Sequence, residues 1–392
     1  MRIRCDVLLS VSLNFVRKLT FVIVLLVFPR VLLCAPNELL GKLDKIAEQG
    51  ESASWSSYVE VTCEIQKYPS ESSKTLQEKL KDQQISVSQT ALYVWALGET
   101  RDQSAVDQLI SIHKSTFTER VKGNCIKALA TIGGDKSGKF IVSLVEAEKD
   151  PEERFPLLVY LGQSRYEPGL PLMEEVLRKS PDQFYWQSIF VFGKMGDACV
   201  PFLISKLNDE NHNIRMNTII LLGKWLIPPE AAKPMQERYW KEPDKQLKSF
   251  LLSSLEVTMP DLDEVKAFFK KVSEKEKDEE LKKFATETVK MNDEMKKDAK
   301  EYAKNKKVSK DAFEKEYCLI YGSMGHQGSC ESLKISSGYE DEGKLKRLRE
   351  EILSRGSDEC FSDYQEVNQV IMWNRIAKWI AGNKKDGKKN SY

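Results

Sequence analysis

The sequence predicts an all-α fold: a right-handed α-solenoid of stacked antiparallel helix pairs with a C-terminal helical segment. Three observations predict it. First, a small residue returns on a fixed beat: Leu97-Gly98, Leu161-Gly162, Phe192-Gly193 and Leu222-Gly223, with Leu129-Ala130 in the missing slot. The steps are 32, 32, 31 and 30 residues, and periods of that size mark arrays of helical hairpins. Second, apolar residues within each period recur at helical spacing, as in Ala91, Val94 and Leu97, which puts them on one buried face. Third, a second apolar stripe follows each small residue, as in Val106, Leu109 and Ile110.

The elements follow in chain order. Residues 1–35 are expected to be a signal. Arg17-Lys18 precede an apolar run from Leu19 to Phe28, and Pro29-Arg30 and Val31-Leu32-Leu33-Cys34-Ala35-Pro36 follow. A basic start, a short apolar stretch and an exit segment are the parts of a secretory signal. The run is short for a membrane span, which takes about 20 residues. Two processing readings stand side by side: cleavage after Ala35, or lipidation of Cys34 within a Leu-Leu-Cys lipobox-like stretch. Val16 is a second candidate start. Residues 36–84 are expected to form an N-terminal helical cap, with Leu39, Leu40, Leu43 and Ile46 on one face and Tyr68-Pro69-Ser70 as a break.

Residues 85–300 carry the repeats. Gly98 is expected to remove a side chain where neighbouring layers meet. Asp102 is expected to accept from free N–H groups at the start of a second helix. Lys122, Arg154 and Arg215 stand eight residues before Ala130, Gly162 and Gly223, and Tyr185 fills that slot in the fourth copy. Second helices are expected at Phe140 to Val145, Leu170 to Leu177 and Val200 to Leu207. Ser254 and Ala285 fall on the next beats. From Pro260 onward Lys and Glu crowd together around Val265, Phe268, Phe269, Val272, Leu281 and Phe284, a solvated helical region that caps or leaves the array. Residues 301–382 form a helical segment with a cysteine-containing loop, and 383–392 a disordered tail.

Asp209, Ile214-Arg215 and Leu222-Gly223, with the run from Phe192 to Leu203, resemble HEAT repeats of the short bacterial kind. The resemblance covers roughly residues 85 to 240. It implies a solenoid of about six or seven helix pairs whose second helices line the concave face. Similar short repeats occur in phycobilisome lyases, which makes a chromophore-lyase relative an alternative reading. The metal-dependent hydroxylase branch of such proteins would require several His-Glu pairs. This chain has 3 histidines, His113, His212 and His326, and none forms such a pair.

Composition narrows the function classes. Lys+Arg at 60 against Asp+Glu at 59 gives a formal charge of +1, which argues against nucleic acid as a partner. No catalytic residues, metal ligands or cofactor are assigned. Gly322-Ser323-Met324-Gly325 lacks the order of a nucleophile elbow. Gly133-Gly134-Asp135-Lys136-Ser137-Gly138 lacks phosphate-loop spacing and reads as an inter-helix turn. Cys125 and Cys199 read as small buried hydrophobes. Cys318, Cys330 and Cys360 are disulfide candidates, with free thiols or a zinc site including His326 as the other readings. Trp95 and Phe192 are expected in the core.

These observations favour a non-enzymatic protein-binding scaffold of a bacterial envelope, exported to the periplasm or tethered by lipid at Cys34. A purely structural envelope lipoprotein is the further alternative. The candidate partner contacts are Phe202, Lys206, Tyr239 and Trp240, on second helices, where exposed aromatics would anchor a protein of unknown identity. Membrane contact is expected only through the lipid.

Overall fold

The computed structural model describes residues 38–304, except 83, 181–186 and 260. The proposed signal, Cys34, Tyr185, Cys318, His326, Cys330, Cys360, the C-terminal helical segment beyond residue 304 and the tail lie outside the described residues.

Within them the fold is all-α. The N-terminal region holds three helices: α1 (38–49), α2 (Trp55–Lys67) and α3 (Pro69–Lys79). Gly50, at φ +55°, lies in the break between α1 and α2. Then come the pairs α4 (Val87–Glu99) with α5 (Val106–Ser115), α6 (Glu119–Ile132) with α7 (Gly134–Ala147), and α8 (Pro151–Gln163) with α9 (Leu170–Leu177). They continue as α10 (187–195) with α11 (Val200–Lys206), α12 (from His212) with α13 (Ala232–Lys241), and α14 (Lys245–Thr258) with α15 (Leu262–Lys275). The long α16 (Glu279–Lys304) packs on α14 and α15. The Lys/Glu-rich region therefore continues the array, with Val265, Phe268, Phe269, Val272 and Leu281 buried in it.

First helices stack on first helices: α2, α4, α6, α8, α10, α12, α14 and α16 form one row. The small residues make this row tight. A Cβ at Gly98 would lie 2.7 Å from the Ala128 Cα on the next first helix, closer than real Cβ atoms sit. At Gly162 it would overlap the Val191 carbonyl oxygen, and at Gly223 the Ser254 side chain. Gly98, Gly162 and Gly223 are thus points where one repeat meets the next.

The chain reverses three residues after each of the first four beats. Arg101 (φ +54°), Gly133 (+70°), Arg165 (+54°) and Gly196 (+63°) adopt left-handed or other positive-φ conformations, and so does Ile227 (+46°). Ile227 comes one residue later because α12 ends in a π-helical stretch, Leu221–Leu226, which inserts a residue. A second π-helical stretch, Ile189–Gly193, lies in α10 and touches the first. Gly134 to Gly138 form the start of α7, so only Gly133 of that run is turn.

The slots read from sequence as basic prove structural. Arg215 (8% exposed) meets Glu242 (2% exposed) across the pair, with Nε 3.0 Å from the carboxylate. Its Nη1 also donates to the carbonyls of Asp209 and Glu210 in the preceding turn. Arg154 repeats the arrangement with Glu175 and the carbonyls of Val145 and Glu148. Burial opposes ionisation of Glu242, but Arg215, Arg238 and the Asp244 N–H outweigh it and hold its carboxyl low. Asp102 accepts from the Ser104 N–H at 2.9 Å, as its position predicted, and also from Ser73 Oγ at 2.6 Å.

One contact departs from the regular order. The end of α9 rests on α12, skipping a repeat, and Asn217 Nδ2 donates to the carbonyls of Leu177 and Lys179. The apolar core runs as one layer from Leu39 to Ala285, with Trp95 packed against its edge and Cys125, Phe192 and Cys199 fully buried. Burial pushes the Cys125 thiol up to about 12.

Candidate functional site

The residue directly after the small residue is half-buried or exposed on α4 (Glu99) and on the next four first helices, whereas Leu255, after Ser254, is buried. The four after Glu99 are Thr131, Gln163, Lys194 and Lys224, on α6, α8, α10 and α12. Stacking brings them into register, and the side chains connect. Gln163 Nε2 donates to Thr131 Oγ1 at 2.9 Å. Gln163 Oε1 accepts from Lys194 Nζ at 3.4 Å, a long and weak bond. The π-helical stretch Ile189–Gly193 ends directly before Lys194, and the second one contains Lys224. Extra residues of this kind shift the side-chain phase of a helix, and they concentrate at functional sites.

Lys194 is half-buried. Burial first, and then the charge of Lys127, lower its pKa to about 8. Lys127 lies on α6, two first helices away, so both amines share one face across α8. Tyr160 sits half-buried on α8, with its phenol pushed up by burial. Among the described residues, Lys127, Lys194 and Lys224 have no carboxylate within ion-pair distance. Lys224 instead lies over the Phe250 ring, 5.4 Å from its centroid. Lys127 and Lys224 are exposed, whereas Lys194 is half-buried.

The contacts proposed from sequence are placed differently. Tyr239 is a core residue, not a surface anchor: it is fully buried, and its hydroxyl donates to Glu276 at 2.7 Å. The α13 periodicity turns it inward because Met235 and Tyr239 share one face. Trp240, next in sequence, is 37% exposed and packs edge-on against Phe268, with Lys271 over its ring. Phe202 is half-buried, stacks on Phe192 at 6.4 Å and carries Lys206 over its ring. Lys206 is paired with Glu174 and lies 3.8 Å from Asp209. These four residues therefore occupy two separate places on the second-helix row, and the charge of Lys206 is already matched.

His113 packs edge-on against Phe140, with its pKa lowered by burial. His212 opens α12 and lies 3.5 Å from Asp244. Among the described residues no group of three His, Cys, Asp or Glu side chains is placed to hold a metal ion. No described helix is long and apolar enough to cross a membrane. A shallow depression of about 650 Å³ is lined by Arg178, Asn208, Asp209, Glu210 and Asn211. It belongs to the turn whose carbonyls Arg215 already occupies.

The sequence reasoning missed the outward row. Its signal was present: the dipeptides Gly193-Lys194 and Gly223-Lys224 place a lysine at the same step of two consecutive beats.

No protein-family model matches the chain. No curated protein matches it either. Among solved structures, it shows partial likeness to the complex of CpcE and CpcF of phycocyanin lyase from Nostoc sp. PCC7120. The sequence identity is 16%, the likeness covers 56% of this chain and 94% of that one, and the TM-score is 0.28. A likeness at that score carries no argument. The helical-repeat fold stands on the stacking described above.

Proposed function

We propose that this protein is a non-enzymatic scaffold that binds a partner protein along its first-helix row. The outward series Thr131, Gln163, Lys194 carries this reading: three consecutive repeats contribute one continuous hydrogen-bonded strip. Repeat arrays bind extended surfaces in this way, through side chains contributed by successive repeats. The second-helix row supports it less, since Tyr239 is buried and Lys206 is neutralised.

Site-specific photo-crosslinking in the source cells tests this. A photoreactive residue at position 163 is expected to give one defined protein adduct, and one at Ser143, exposed on α7, is expected to give none. Adducts at Ser143 and not at 163, or none at either, would overturn the reading.

The scaffold is proposed to act after export, on the strength of the basic–apolar–exit pattern of residues 1–35. Mass spectrometry of the mature N-terminus tests this. A mature chain that begins at Met1 would refute export by a cleaved signal. The lyase-related alternative takes no support from the structural likeness. It would require the purified chain to transfer or bind a chromophore, read as a visible absorbance band that co-elutes with the protein.

A further inference from the structure

We infer that the array carries a joint at its fourth pair: the π-helical stretches of α10 and α12 slide together, so that the pairs before α10 and those after it change their relative tilt. The inference does not depend on which face binds a partner.

The place of the two stretches is the first argument. Ile189–Gly193 in α10 and Leu221–Leu226 in α12 lie on adjacent first helices and touch. A π-helical stretch of this kind is an extra residue carried inside a helix. Moving that residue along the helix shifts the residues it passes by one step, about 1.5 Å along the axis and about 100° around it. Both stretches hold contacts that stack the row. Val191 lies in the first, and its carbonyl oxygen occupies the space that Gly162 leaves open on α8. Gly223 lies in the second, and its missing Cβ makes room for Ser254 on α14. A slide therefore turns the groups on which the neighbouring repeats rest, on both sides of the fourth pair.

Unpaired polar groups are the second argument. Thr218 is fully buried one turn before the α12 stretch, and its Oγ1 has no hydrogen-bond partner. The other buried threonines among the described residues, Thr100, Thr258 and Thr288, each donate to a carbonyl three or four residues earlier in their own helix. A buried hydroxyl without a partner raises the free energy of the arrangement that holds it, which narrows the gap to a neighbouring one. Ser188 and Thr218 hold the same step, five residues before Gly193 and Gly223, and both are fully buried. On α6 and α8 that step carries Cys125 and Leu157. Hydroxyl side chains thus replace apolar ones directly ahead of both π-helical stretches.

A tie across the fourth pair is the third argument. Asn217 Nδ2 donates to the carbonyls of Leu177 and Lys179, so α12 is fastened to the end of α9 and α10 is bypassed. The same side chain leaves its Oδ1 buried without a partner. This tie holds the joint in the arrangement seen here.

Hydrogen–deuterium exchange of the full chain, read by mass spectrometry, tests this. Segments 187–195 and 217–227 are expected to exchange about tenfold faster than 124–131 in α6 and 247–255 in α14, because the joint opens without global unfolding. Thr218→Val removes the unpaired hydroxyl at nearly the same shape and is expected to slow both joint segments by about threefold, with the two reference segments unchanged. Asn217→Ala cuts the tie and is expected to speed both joint segments. The response of α10 to a substitution on α12 is what a local role of either side chain does not produce. Gly123→Ala, which lies away from the joint, gives the pattern of a global change in stability. Protection of the two joint segments equal to that of the references would overturn the inference. So would a change confined to 217–227 in both variants, or one spread evenly over all four segments as in Gly123→Ala.

Discussion

Gly162→Ala is the sharpest probe of the stacking. Gly162 lies near the end of α8, where an added Cβ would overlap the Val191 carbonyl oxygen and lie 3.1 Å from its carbonyl carbon. The obstacle is backbone, so no rotamer change relieves it, and α10 must retreat. Gly123 is the matched control. It lies inside α6, and an added Cβ there meets nothing within 4 Å. In a helix interior, replacing glycine by alanine stabilises by up to about 1 kcal/mol, through lower backbone entropy in the unfolded chain. Overpacking costs about 1–3 kcal/mol. Gly123→Ala is therefore expected to stabilise by up to about 1 kcal/mol, and Gly162→Ala to destabilise by about 1–2 kcal/mol once the helix gain is subtracted. Urea unfolding followed by circular dichroism reads both, from midpoints at unchanged slope. If Gly162→Ala is as stable as wild type or more so, the first helices do not meet at this backbone contact. A double-mutant cycle extends the test. Gly223→Ala meets the Ser254 side chain, so Ser254→Gly is expected to restore part of the lost stability, as coupled neighbours do.

Other predictions concern charge and backbone. Arg215→Met leaves Glu242 facing Arg238 alone in a buried site and is expected to cost about 3–5 kcal/mol; a urea-derived loss under 1 kcal/mol would show that the clamp is dispensable. Burial raises the Glu276 pKa, but Lys248, Tyr239 and two backbone N–H groups outweigh it and bring it to about 2. Its folded value is below its unfolded one, so its contribution is full above about pH 4.3 and is lost as pH falls toward about 2. Glu276→Gln is thus expected to flatten the fall in urea midpoint between neutral and acid pH, and an unchanged profile contradicts this. Lys194 runs the other way: its folded pKa of about 8 lies below the unfolded value, so stability rises with pH from about 8 upward. Lys194→Met is expected to exceed wild type in stability at neutral pH, with the gap closing in alkali; a constant gap refutes the burial of that charge. Arg101 is exposed and held at φ +54°, so Arg101→Gly is expected to raise the thermal midpoint modestly, by up to about 1 kcal/mol of stability, and a lower midpoint would show that its side chain matters.

The solenoid was legible in the chain because its cause is local and periodic. A missing Cβ is needed wherever one first helix crosses the next, so Gly98, Gly162 and Gly223 print the repeat directly into the letters. Proline and Asp or Asn at helix starts mark the turns for the same reason: Pro151 opens α8, and Asp150 and Asn211 accept from free N–H groups. Which side of a helix faces the core is harder to read when aromatic residues stand side by side. Tyr239 and Trp240 differ by one position: the first shares the buried face of α13 with Met235 and reaches Glu276, and the second stays partly at the surface.

The amino-acid order by itself determined the helix pairs, their period and the small contact residues, because these follow from side-chain volume and backbone hydrogen bonding within about thirty residues. Tertiary structure alone decided the rest. It decided which side chains meet across helices, as Lys206 meets Glu174 and Arg215 meets Glu242, because charge pairing depends on which helices stacking brings together. Two π-helical stretches, Ile189–Gly193 and Leu221–Leu226, are likewise invisible to helical periodicity.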